Sequence, residues 1–169
     1  LLKAKEKGYY VPEPMLRKWK SYQTGEASSW TLHSSSSDLA QAYRLYTLAL
    51  AGTTQTGAMN RLRENRKISA QAKWRLAAAY AMAGYKEAAE NVIEGLSANV
   101  KAQPEDRYTF GSELRGKAMI LETVSLLDKR SLGVNLLRTV SDALSSGNWY
   151  STQTTAYCLI AAAAFSGEK

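Results

Sequence analysis

Few residues in this chain are of types that do covalent chemistry, and their spacing decides what each can do. His33 is the single histidine and lies in the polar run TLHSSSS. A serine beside a histidine is the start of a nucleophile–base pair. Ser34 to Ser37 have no glycine elbow and no oxyanion device around them, so His33 reads as a solvated loop residue. Cys158 is the single cysteine, which rules out an internal disulfide, and one His with one Cys cannot supply the ligands of a zinc site. Its place between Tyr157 and Leu159 is that of a small buried hydrophobe, since a reactive thiolate needs a nearby cation or a helix N-terminus. The carboxylate pairs Glu105-Asp106 and Glu87-Glu90 sit in polar contexts and read as a turn and a solvated helix face. The glycines are scattered and form no phosphate cradle. No catalytic, metal or cofactor site is expected, and the chain is not read as an enzyme.

Two segments carry more than generic content. In AYRLYTLALAG, Arg44 stands on an otherwise apolar helix, and Arg61, Arg63 and Glu64 follow one hairpin later in GAMNRLRE. A half-buried arginine needs a carboxylate or carbonyl partner, so an ion pair tying two hairpins is expected here rather than a ligand site. In NWYSTQTTAYCLIAAAAF, Ser151 or Thr152 is placed to cap a helix, Trp149 to pack just before it, and Tyr157 to face inward.

The elements that must position these residues are all helical. Residues 1–8 read as the end of a helix. Residues 12–23 form a short helix opened by prolines, with Met15, Leu16, Trp19 and Tyr22 on one stripe. A polar loop spans 24–37, and Ser37 or Asp38 is placed to cap a helix over 38–51 that Gly52 closes. Further helices are expected at 55–65, from Ser69 as cap to Gly84, and over YKEAAENVIEGL. Residues 100–112 read as irregular, with a brief extended piece near Tyr108 and Phe110. Helices at 113–127 and 131–144 flank the Asp128-Lys129-Arg130 turn, and a last one follows Ser151 to Gly167. No strand shows convincing alternation; the fold class is all-α.

These helices repeat as hairpins. One member of each pair is rich in small and apolar residues, suited to burial on both faces, and its partner is amphipathic and suits an outer layer. Aligning Tyr43, Trp74, Met119 and Tyr157 gives spacings of 31, 45 and 38 residues. Hairpins at this period make a solenoid or a ring. The unevenness argues against a regular tetratricopeptide array and for a ring of hairpins with varied loops.

The chain has 169 residues, a single-domain length that buries roughly 70% of the unfolded surface without disulfides. Lys plus Arg is 22 against 15 acids, giving +7. Split at residue 85, the first part has 13 basic and 5 acidic residues and the rest 9 and 10. The excess clusters at Lys3-Lys5-Lys7, Arg17-Lys18-Lys20 and Arg61-Arg63-Arg66-Lys67. With no helix-turn-helix or zinc finger beside it, it reads as a solvated or partner-facing surface, and nucleic acid is not an expected partner. No apolar run approaches the ~18–20 residues of a membrane span. Leu1 in place of an initiator Met leads to the expectation that this is a piece of a longer protein.

AYRLYTLALAG–GAMNRLRE, AKWRLAAAYAMAG and WYSTQTTAY with its small-residue helix together resemble the later hairpins of the thioester domain of bacterial alpha-2-macroglobulins. More remotely they resemble the same domain in complement components. The resemblance runs over residues 1–169 in order. It implies an α/α toroid, here an incomplete ring, within a broad-spectrum protease trap. The motif positions it carries over as structural residues are Arg44, Asn60, Arg61, Arg63, Glu64, Trp149, Ser151, Thr152, Gln153 and Tyr157. In that family an internal Cys–Gln thioester in a C-x-E-Q motif captures the protease. Cys158 is followed by Leu159-Ile160-Ala161 and is not that cysteine, so only a scaffold role carries over. The resemblance further implies a bacterial envelope location, periplasmic or lipid-anchored through a preceding N-terminus. It implies neighbouring domains of the same protein as partners, with target proteases as partners of the whole, and an apolar cut edge through which the isolated piece would self-associate. The competing expectation is a helical-repeat adaptor that binds peptides along a concave face. A toroidal glycan-active enzyme is the third, disfavoured because the inner helices offer mostly alanine and leucine.

Overall fold

The structure, a computed structural model, describes residues 1–31, 35–100 and 113–167. His33, Ser34, Glu105, Asp106, Tyr108 and Phe110 lie outside these. Among the described residues the secondary structure is helical throughout: α1 (Leu2–Glu6), α2 (Glu13–Ser29), α3 (Ser35–Leu50), α4 (Thr56–Glu64), α5 (Ala70–Met82), α6 (Lys86–Ile93), α7 (Glu113–Leu126), α8 (Arg130–Ser145) and α9 (Thr152–Ser166).

The apolar helices form an inner row in which α3 packs on α5, α5 on α7 and α7 on α9. The amphipathic ones lie against this row: α4 on α3 and α5, α6 on α5, and α8 on α7 and α9, while α2 covers α3. Composition explains the division. Ala72, Trp74, Arg75, Leu76, Ala77, Ala78, Ala79 and Tyr80 of α5 are all buried, which leaves that helix no solvent face. Its run of alanines lets neighbours approach closely. In α8 only one stripe, Gly133, Leu136 and Val140, is buried, as expected of an outer helix.

Chain reversals follow from local chemistry. Gly52 and Gly84 have φ of +70° and +84°, and each is followed by an N–H that reaches back five residues, Thr53 to the Leu48 carbonyl and Tyr85 to the Tyr80 carbonyl. Asp128 takes the same left-handed position (φ 56°) after α7, with the Lys129 N–H on the Val124 carbonyl at 3.0 Å. Asp tolerates this conformation better than most residues, which is why the hairpin turns without glycine. Ser69 Oγ accepts from the Ala72 N–H at 3.2 Å, as expected of the cap, and of the two candidates at α9 it is Ser151 whose Oγ accepts from the Thr154 N–H at 3.2 Å.

Three expectations are corrected. First, α2 does not stop at residue 23 but runs to Ser29. The TGEASS segment contains no proline, and tertiary donors meet its terminal carbonyls: Gln41 Nε2 on Ala27 at 3.0 Å and Arg61 Nη2 on Ser28 at 3.2 Å. Second, α3 begins at Ser35, which puts Ser37 and Asp38 inside the helix rather than at its cap. Asp38 is buried and its Oδ2 accepts from the Ser69 N–H at 2.5 Å, joining the start of α3 to the cap of α5. Third, of the stripe Met15, Leu16, Trp19 and Tyr22, Leu16 is buried while Met15 and Tyr22 are exposed, because α2 meets its neighbours along one narrow edge.

Candidate functional site

The densest polar constellation lies inside the inner row. Tyr43 and Tyr46 come from α3, Arg75 from α5, Glu122 from α7 and Tyr157 from α9. Arg75 Nη1 donates to Glu122 Oε2 at 2.9 Å, with 1% and 9% of the two side chains exposed. The Tyr46 hydroxyl donates to Glu122 Oε1 at 2.8 Å, so both carboxylate oxygens are engaged. The guanidinium carbon lies 4.4 Å from the Tyr46 ring centre and 5.7 Å from that of Tyr43. Arg75 Nη2 reaches the Met119 carbonyl at 3.5 Å, and Arg75 Nε has no hydrogen-bond partner among the described residues. An uncompensated charge could not persist here; the pair is retained because each ion satisfies the other.

The cluster reaches across the row. The hydroxyls of Tyr43 and Tyr157 are hydrogen-bonded to each other, with ring centres 6.3 Å apart and planes at 62°. Beside them Arg115 Nη1 donates to Gln153 Oε1 at 2.6 Å. Burial, followed by the nearby Glu122 charge, pushes the Tyr46 phenol far above its ordinary value. Burial also raises Tyr43, against an opposing pull from Arg75, and lowers Arg115. Tyr43 and Tyr46 are hydrogen donors at neutral pH, and the carboxylate of this cluster, Glu122, is committed to a cation. This arrangement positions helices; it presents no pair of free carboxylates for acid–base work.

The expected site residues fall into separate groups. Arg44 is half-buried, with Nε on Gln23 Oε1 at 2.8 Å, Nη1 on Gln41 Oε1 at 2.6 Å and Nη2 3.9 Å from Glu26 Oε2. It therefore ties α3 to α2, as an ion pair between neighbouring elements, with Glu26 rather than Glu64 as its acid. A cleft of about 210 Å³ opens beside it, lined by Trp19, Gln23, Ala40, Tyr43, Arg44 and Thr47. Arg61 caps the end of α2. Asn60 Oδ1 accepts from the Tyr80 hydroxyl at 2.7 Å and the Arg63 guanidinium lies 5.8 Å from the Tyr80 ring centre. Glu64 is exposed nearby and raises Tyr80, after burial as the main cause. Ser151 is the cap of α9, and Thr152 stands exposed at its first position. Gln153 and Tyr157 join the central cluster. Trp149, expected to pack before the helix, is 88% exposed, since the Gly147-Asn148 break carries it away from the body.

Arg75, Arg115 and Glu122 escaped the sequence reading. Their signal was the one applied to Arg44, a charge on an otherwise apolar helix: Arg75 in KWRLAAAYA and Glu122 in ILETVS.

Cys158 is fully buried, and burial raises its thiol pKa. Among the described residues no group of three or more His, Cys, Asp or Glu could hold a metal ion, and no helix is long and apolar enough to cross a membrane. Comparisons with protein-family models, with curated proteins and with solved structures find no match to this chain.

Proposed function

We propose that this chain is the C-terminal part of a thioester-type α/α toroid in an alpha-2-macroglobulin-like protease trap, acting as rigid scaffold and not as an enzyme. The observation that carries the reading is the Tyr43–Tyr157 contact. It joins side chains of the first and last helices of the inner row, as a closing ring of hairpins would and a straight superhelical stack would not. The layered arrangement of apolar inner and amphipathic outer helices supports it too. So does the committed state of the inward polar groups, which suits a framework better than a substrate pocket.

In this reading the partners are neighbouring domains of the same envelope protein and, for the whole protein, the proteases it captures. The outer face of α9 is where a further element packs: Leu159 and Ile160 are 56% and 39% exposed on a helix without a charged residue. The separate chain then self-associates through that face. Light scattering should show assembly that Leu159→Glu abolishes, and a clean monomer at high concentration contradicts it.

The function is tested on the polypeptide that contains this chain, incubated with an endopeptidase. A trap leaves cleavage of a short peptide substrate intact while cleavage of a large protein substrate falls. Unchanged cleavage of both substrates rejects the reading.

A further inference from the structure

Tyr43 and Tyr157 are 114 positions apart in sequence, yet their hydroxyls are hydrogen-bonded and both rings are half-buried rather than sealed. Each hydroxyl is attached next to the two ring carbons at which a phenoxyl radical carries much of its unpaired spin. Hydroxyl contact with ring centres 6.3 Å apart brings the hydroxyl-bearing edges of the two rings, which carry these carbons, toward each other. Other close pairs are less well placed. Tyr46 is 4% exposed and its hydroxyl is held by Glu122. The Tyr80 hydroxyl is held by Asn60, although its ring centre lies 6.5 Å from that of Tyr85.

We propose that Tyr43 and Tyr157 form a site of oxidative cross-linking, joined by a carbon–carbon dityrosine bond when a one-electron oxidant takes an electron from each. Each phenol gives up one electron and its hydroxyl proton, and the two radicals couple between ortho carbons. The hydrogen displaced from each of those carbons returns to the oxygen of its own ring. The net loss is two electrons and two protons, which a peroxide takes up as water or a persulfate takes up, as electrons, in becoming two sulfates. The bond staples α3 to α9 without altering the inner row. It also restrains a long loop in the unfolded chain, a constraint of the kind that stabilises through loop closure. This site does not depend on the protease-trap reading.

The test uses the whole chain with photo-oxidised ruthenium tris-bipyridyl and persulfate at protein concentrations low enough to suppress contacts between molecules. The expected product is a monomer lighter by two hydrogens, carrying dityrosine fluorescence. Proteolysis should release one cross-linked peptide pair containing residues 43 and 157, and the product should melt at a higher temperature than the untreated chain. Tyr43→Phe and Tyr157→Phe should each lose that peptide pair while leaving the untreated circular dichroism spectrum unchanged. Oxidation confined to exposed Tyr9 and Tyr10, dityrosine linking a different pair, or links only between molecules would overturn the assignment.

Discussion

The guanidinium of Arg75 on α5 and the carboxylate of Glu122 on α7 meet at 2.9 Å inside the inner row, and Tyr46 on α3 supplies the carboxylate's second hydrogen bond. Three inner helices are thus joined by one buried ionic group. Breaking such a pair from one side leaves a charge without a partner and costs about 3–5 kcal/mol, whereas replacing both ions with apolar residues of similar size is often far milder. Arg75→Met and Glu122→Leu should each lower the denaturation midpoint strongly, and the double variant should be more stable than either single one. A double variant that shows the full sum of both losses would contradict this.

Gly133 on α8 lies directly against the Phe165 ring on α9. A Cβ there would lie 2.1 Å from Phe165 Cε2, with two further ring atoms inside 3.0 Å. Overpacking of this kind costs typically about 1–3 kcal/mol. Gly133→Ala should destabilise by that order, although alanine is the better helix former, and Phe165→Leu in the same chain should recover part of the loss. Gly133→Ala with unchanged or raised stability in chemical denaturation would refute the close contact.

Alkaline pH should weaken the fold through its tyrosines. Tyr43, Tyr46 and Tyr80 all have phenol pKa values raised above 10.0, chiefly by burial. The folded chain keeps these protons where the unfolded chain loses them. Their contribution is complete below the unfolded value and lost as pH rises toward the folded ones. In a Cys158→Ala background, which removes the buried thiol's own contribution above about pH 8.5, unfolding free energy should be nearly flat between about pH 8 and 9.5 and fall beyond about pH 10. Tyr46→Phe should reduce that slope. An identical slope in the variant would show that Tyr46 is not held protonated.

Cys158 should be silent in the folded protein. It is buried and burial raises its thiol pKa, and the thiolate is the reactive form. Alkylation by iodoacetamide should be slow in native buffer and fast in denaturant. Rapid native labelling, or release of a thiol at Cys158 by methylamine, would contradict both its burial and its exclusion from thioester chemistry.

The helices were legible in the sequence because the hairpin pattern, the Ser69 and Ser151 caps and the glycines at 52, 84 and 167 are local signals. The end of α2 was not, because its last turn is held by Gln41 and Arg61, residues that arrive from α3 and α4. The Asp38–Ser69 link and the Gly133–Phe165 approach were hidden for the same reason: each depends on which helices become neighbours. In the site, Arg44 and Tyr157 stood out by type and spacing, and Tyr157 does face inward. Arg75 and Glu122 carried an equal signal but are 47 residues apart, and only the packing of α5 on α7 makes them one group. Trp149 misled because an aromatic before a helix cap often packs on it, and here the backbone turns outward first.

The proposed ring requires the inner row to curve until side chains of its first and last helices meet, as those of Tyr43 and Tyr157 do. Nitroxide labels at the exposed positions Ala40 on α3 and Ala156 on α9, in a Cys158→Ala background, read that curvature directly. Neighbouring helix axes lie about 8–10 Å apart, so a straight row of four would separate the outermost axes by about 24–30 Å, while a row that closes brings them to roughly one helix spacing. The predicted result is a single narrow distance below about 20 Å. A distribution centred near or beyond about 30 Å would mean an open row and would contradict both the ring and the scaffold function proposed from it.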